Sequence, residues 1–297
     1  MDIRLVPQEE IDKTKWNSCV HYAPNGNIFG YKWYLDNVAK DWDGLVEGDY
    51  ESVFPLIHRQ QSKGWWGRKI PVLHQPELIR TAGLYSIHVL SEKRIRSFLN
   101  AIPERYHQQD ITLGEGTKPP SDIDYRVSEQ YNYMLLLQEP YENLAAPYHP
   151  NLQQEIEKAH LAQLVPRNDL RPESLADFYR QHGSGSASDR EIRSHALLRV
   201  MYNALHRGWG FASGVSNRRQ ELLAINFFLF SHKRVVSLMP VQSEAGAKVG
   251  ALAYLFDMLM RTQAEKPLLL DFNLRQKSPF AESFGALQLP YFHLEKR

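Results

Sequence analysis

The chain has one cysteine, Cys19, in 297 residues. It can form no internal disulfide, and its place in an amphipathic segment points to a buried thiol rather than a nucleophile. The reducing cytoplasm is the natural home of such a chain. An excess of either charge is also missing: 35 Lys and Arg face 34 Asp and Glu, for a net charge of +1. That balance argues against the broad basic field of a DNA or anionic-membrane binder and leaves only local basic patches open. No run approaches the ~20 apolar residues of a membrane span. Residues 1–12 show no basic region leading into an apolar core, so no export signal is expected. No Cys or His cluster has metal-ligand spacing, no His-Glu-x-x-His occurs, and neither phosphate-loop nor dinucleotide glycine patterns appear. A bound metal is therefore not expected.

What is present is an ordinary globular composition, 43% hydrophobic and 23% charged, in a length that suggests two domains, each able to bury its own core. The first, residues 1–140, reads as a strand at 3–6, helices at 8–20 and 30–42, and a hairpin turning at Gly48 and Asp49. A polar and aromatic excursion follows over 63–68, then a strand at 70–73, a helix at 91–102 capped by Ser91, and strands at 109–113 and 131–137. The second, residues 141–297, reads as helices at 151–161 and 172–181 and a third that Asp189 caps and that runs to His206. Strands at 209–214, 222–230 and 235–241 come next, then a long helix, a short strand, a short helix and a last strand. Each half carries a helix that runs out through Asn and Trp into a strand pair, Asn37 to Trp42 and Asn203 to Trp209. This points to a duplication giving two similar mixed α/β domains side by side.

The stretch from Val235 to Phe272 organises the second half. Pro240 cannot donate to a ladder, so pairing should lapse there on one side. The loop after it is built of small residues that let the backbone approach something closely. The helix over 247–262 is apolar on nearly every face except a stripe through Gly250, Tyr254, Asp257 and Arg261, so it should be largely buried. Leu268, Leu269 and Leu270 form the short apolar run of an interior parallel strand. A helix N-terminus behind a small-residue loop presents N–H groups and partial positive charge that suit a phosphate.

In its order of elements the second half resembles the GNAT acyltransferase fold. The run Gln242-Ser243-Glu244-Ala245-Gly246-Ala247 is similar to that family's Gln/Arg-x-x-Gly-x-Gly/Ala signature, with one extra residue between Gln and Gly. Phe280 through Phe284, Gly285 and Ala286 resemble its penultimate helix and the turn after it. The resemblance implies an acyl-coenzyme A donor lying against Met239 and Val241, with its pyrophosphate on Gln242, Ser243, Glu244, Ala245, Gly246, Ala247 and Lys248, and with Asn273 nearby. Two such halves in one chain further resemble the tandem Fem-type transferases, which add aminoacyl groups from charged tRNA to peptidoglycan precursors, and a compact tandem GNAT group in Bacteroidetes-like bacteria. The chain departs from the compact group where Asn151 is followed by Leu152, Gln153 and Gln154 rather than by basic residues. It departs again where Asn273, Leu274 and Arg275 replace an acidic-Gly-Ser turn. No insertion is long enough for the helical arm of the larger Fem enzymes, which favours a small acyl donor over charged tRNA. The implied activity is transfer of an acyl or aminoacyl group to an amine on a small molecule, a peptide or a cell-wall precursor. The alternative is a GNAT-fold binding protein that keeps the groove without the chemistry.

Acyl transfer needs a held donor, a route for the ammonium proton and hydrogen bonds to the developing oxyanion. Asn226, the one polar side chain in the apolar strand LLAINFFLF, either aligns a ligand or pairs with a neighbouring backbone. Glu221 is a general base or an exposed hairpin carboxylate. Asp271 and Asn273, at the end of a parallel strand, stand where ligands sit in open α/β sheets, or else cap the next helix. Tyr254 and Tyr291 either protonate a leaving thiolate or belong to the core. His195, Arg199, Tyr202 and His206 share a helix face that reads as solvated. In the first half, the loop over 74–86 occupies the place of the glycine loop and holds an acceptor or is structural.

Overall fold

The computed structural model describes residues 1–63 and 68–297; the centre of the expected excursion, residues 64–67, lies outside the described residues. The chain divides into two compact units, Met1–Tyr131 with Leu289–Arg297, and Asn132–Gln288.

In the first unit β1 (Ile3–Pro7), α1 (Lys13–Tyr22) and α2 (Lys32–Val38) lead into β2 (Asp41–Glu47), β3 (Ser52–Lys63) and β4 (Arg68–Leu73). The strands form an antiparallel sheet in the order β1, β2, β3, β4, and β5 (Tyr85–Ser86) pairs with β3. After α3 (Glu92–Asn100), β6 (Gln109–Leu113) pairs antiparallel with the end of the last strand, Ile111 opposite Leu294. A core around Phe54, Phe98, Leu113 and Leu294 fills this unit. Ser91 caps α3 as expected, accepting from the Arg94 N–H at 3.3 Å. The helix expected over 30–42 stops at Val38. Trp42 is a strand residue opposite Ile57, edge-on to Trp16 with ring centroids 5.1 Å apart. A buried indole contact decides the conformation there over the helical spacing.

The strand β7 (Arg126–Leu136) enters the second unit, followed by α4 (Tyr141–Ala145), α5 (Pro150–Leu161), β8 (Val165–Arg167), α6 (Pro172–His182), α7 (Ala187–His206), β9 (Gly210–Ser216) and β10 (Leu222–Ser231). Next come β11 (Arg234–Ser237), β12 (Val241–Gln242), α8 (Glu244–Lys248), α9 (Ala251–Gln263), β13 (Leu269–Asp271), α10 (Pro279–Ser283) and β14 (Leu287–Lys296). The sheet here runs β7, β13, β11, β10, β9, β8, with β12 on β10. As expected, β13 is an interior strand, parallel to β11 and antiparallel to β7. The cap of α7 is Ser186 rather than Asp189, which sits at the third helical position and completes a capping box. At the two positions of the expected repeat, Asn37 and Asn203 each donate to the carbonyl one turn back, Trp33 and Arg199, ahead of an antiparallel strand pair, while Trp42 lies inside β2 and Trp209 precedes β9.

The single long helix expected over 247–262 is two. Gly250 stands between them with φ of 68°, and a Cβ there would lie 2.2 Å from the Glu155 carbonyl oxygen of α5. The polar stripe of α9 is buried at its centre. Asp257 is fully buried and accepts from the hydroxyls of Tyr141 at 2.6 Å and Tyr148 at 3.1 Å and from Arg261 Nε at 2.8 Å. The Arg261 guanidinium lies 3.9 Å from the Tyr141 ring centre. Burial and the Asp257 carboxylate hold both tyrosines well above their ordinary pKa. Among the described residues no helix is long and apolar enough to cross a membrane.

Cys19 is buried, and burial pushes its thiol from 9.0 to about 12. The folded protein should resist iodoacetamide at pH 8 and become alkylated only after unfolding, as read by mass spectrometry. Because the folded state keeps a proton that the unfolded state releases, this group's contribution to stability should fall as pH rises from about 9 towards 12.

Candidate functional site

The strand expected over 235–241 is broken in two, and the break makes the site. β11 and β13 pair in parallel from Arg234 and Leu269 to Val236 and Asp271, then part. The continuation of β11 stays with β10: Leu238 N–H donates to Phe227 C=O at 2.9 Å, and Val241 and Gln242 face Ile225 and Ala224. The continuation of β13 stays with β7, where Phe272 N–H donates to Tyr133 C=O at 3.0 Å. The parting from β13 begins at Ser237, and Pro240, which has no N–H to give, lies further on, in the gap between β11 and β12.

Each arm of the opening is tied by a buried asparagine of the strand outside it. Asn226 of β10 accepts the Met239 N–H at 3.0 Å and donates to Ser237 Oγ at 2.8 Å. Asn132 of β7 accepts the Leu274 N–H at 2.8 Å and donates to Asp271 at 2.8 Å. Asp271 also accepts the Asn273 N–H at 2.8 Å and faces Arg234 at 3.4 Å. Asn273 has φ of 57°, so the chain turns sharply away after the strand. Beside this turn, α9 and α10 bring Phe256 onto Phe272 at 5.3 Å with planes 6° apart, and Phe280 and Phe284 complete an aromatic cluster.

The expected donor loop is tightly folded. Ser243 Oγ accepts the Gly246 N–H at 3.0 Å and caps α8, and Gln242 Oε1 accepts the Leu252 N–H at 3.3 Å. A Cβ on Gly246 would lie 2.2 Å from the Leu223 carbonyl oxygen, so the close approach that the small residues permit is made by the neighbouring strand. Glu244, Ala245, Ala247 and Lys248 are exposed.

Thus Asn226, Met239, Asp271 and Asn273 gather at the parted strands, with Val241 and Gln242 along one arm. The other named residues stand elsewhere. Glu221 is exposed in its hairpin, where it accepts from Asn217 at 2.6 Å. Tyr254 packs edge-on to His160 of α5 at 5.1 Å, and burial, then Asp257, raises its pKa. Tyr291 is fully buried in the first unit beneath the Arg80 guanidinium at 5.6 Å. Arg80, in the loop over 74–86, is itself buried and paired with Glu115. His195 is exposed beside Glu191. Asn132, Ser237 and Arg234 complete the cluster and were not read from the sequence, although Asn132 in YNYMLLL carries the signal that singled out Asn226. Among the described residues no group of His, Cys, Asp and Glu could hold a metal ion.

No protein-family model matches the chain, and no curated protein matches it. Solved structures do. FemX superposes with a TM-score of 0.65 at 10% identity, over 98% of this chain and 97% of its own. A conserved protein of unknown function from Bacteroides thetaiotaomicron gives 0.56 at 10% identity over 100% of both chains. A tandem GNAT protein from the clavulanic acid biosynthesis pathway gives 0.50 at 12% identity over 99% and 98%.

Asn226→Ala leaves the Met239 N–H and the Ser237 hydroxyl without their partner, and should cost about 1–3 kcal/mol in urea unfolding. Gly246→Ala adds one methyl and no charge. It should lower the melting temperature with or without ligand, because its contact is with Leu223.

Proposed function

The chain has a tandem GNAT fold of the Fem-like kind, and from this premise we propose that it is an N-acyltransferase, passing an acyl or aminoacyl group from a thioester or ester donor to an amine. The observation that carries the reading is the parting of β11 and β13 beyond Val236 and Asp271, an opening lined by buried amides and a carboxylate. The donor lies along Met239, Val241 and Gln242, with Lys248 towards its phosphates and Asn273 on the opposite arm. The neutral amine attacks the acyl carbon, the tetrahedral oxyanion takes an N–H of the β11 arm, and its collapse breaks the bond to the thiolate or alkoxide, which leaves with the proton that the amine nitrogen gives up. Asn226 then positions that N–H rather than touching the reacting atoms. The acceptor is an amine of a small molecule or peptide.

A second reading is a protein of this fold that binds such a donor without turning it over. It is favoured by the N–H groups of Met239 and Leu274, each already taken by an asparagine. An oxyanion would have to displace one of them.

Melting curves with millimolar acetyl-coenzyme A and with free coenzyme A test donor binding. A ligand at 100 times its Kd adds about 2.7 kcal/mol, a shift of a few degrees. We expect a shift in the wild type and a smaller one in Lys248→Glu, whose exposed side chain leaves the unliganded melting temperature unchanged. No shift with folded protein overturns this donor. Release of free thiol in the presence of an amine panel then separates the transferase from the binding protein.

A further inference from the structure

We propose that the second unit carries a separate binding site for a small, uncharged, planar aromatic molecule. A pocket of about 310 Å³ lies between α9 and the strands β8, β9 and β10, within the range of small-molecule sites. Its strand wall is Phe211 and Ser213, which share one face of β9 by alternation, with Phe230 of β10. Its helix wall is Leu255, Met258 and Leu259. None of these residues belongs to the parted strands.

Three features select the ligand. No lining side chain carries a charge, so an ion entering would lose hydration with no opposite charge to offset it. Phe211 stacks on Phe228 at 5.3 Å and on Phe230 at 5.4 Å, with planes 27° and 28° apart. Phe228 is fully buried while Phe211 and Phe230 are only partly so and both line the pocket, where a further flat ring can pack against them. The partly buried hydroxyl of Ser213 makes no protein hydrogen bond among the described residues, and with Asn168, Thr262 and Gln263 it gives the lining a few uncharged polar groups to meet a ring N–H. Met258, opposite, has a flexible thioether that can close on ligands of differing outline.

Indole is the probe, with cyclohexanol as an apolar control that is not planar and indole-3-acetate as a charged one, each titrated by calorimetry into the whole chain. Indole should bind saturably, and both controls should bind at least about tenfold more weakly. Ser213→Leu replaces a hydroxyl by a bulkier side chain in the pocket and should weaken indole binding at least about tenfold. Phe211→Leu keeps the wall apolar but removes the stack, and should erase the preference for indole over cyclohexanol. The proposal is overturned by absence of saturable indole binding, by equal binding of cyclohexanol, or by indole binding that keeps its affinity in both variants. It is also overturned if sedimentation shows a dimer that Ser213→Leu dissolves, which would make a second copy the occupant.

Discussion

Two parallel strands that pair for three residues and then separate are the constraint on which the second unit depends. Once β11 and β13 part, the backbone groups along the inner edges lose their ladder partners, and buried N–H groups without acceptors are costly. The structure meets this from the outside. Asn226 and Asn132 reach in from the flanking strands and take the Met239 and Leu274 N–H groups, so the opening is held apart by side chains rather than by main chain. Asp271 joins the two systems to Arg234 and to the turn at Asn273.

The same opening frames both functional readings. An edge rich in fixed polar groups suits a reaction that develops charge on a carbonyl oxygen, because preorganised donors need no rearrangement when the charge appears. Donors already satisfied within the protein favour holding a ligand instead. The elements around the opening pack closely for identifiable reasons. Gly250 lets the backbone of α5 lie directly against the start of α9, and the buried Asp257 ties Tyr141 and Tyr148 to the same helix. Tyr141 in α4 and Tyr148 just ahead of α5 are thereby fastened to α9 by hydrogen bonds to a buried carboxylate.

What was readable in the sequence was local or compositional. Ser91 as a cap, Pro240 between two strands, the interior strand at Leu269 and Leu270, and Asn226 as a buried amide with partners all follow from a residue and its near neighbours. Asn132 carried the same signal as Asn226, an amide within an apolar strand, and went unread. Trp42 fits a helical period by its position, while its place in β2 depends on burial against Trp16, which belongs to the tertiary fold.

The sequence by itself determined a two-part mixed α/β chain without disulfides, with a strand, small-residue loop and helix near its end. These depend on period, on turn residues and on counts. Only the tertiary structure decided what the small residues approach, since the partners of Gly246 and Gly250 are Leu223 and Glu155, remote along the chain. It also decided that the final nine residues return to the first unit, and that Tyr254 and Tyr291 pack into separate surroundings. A side chain's chemistry is written in its own letter, but its neighbours are set by packing, and packing is a property of the whole chain.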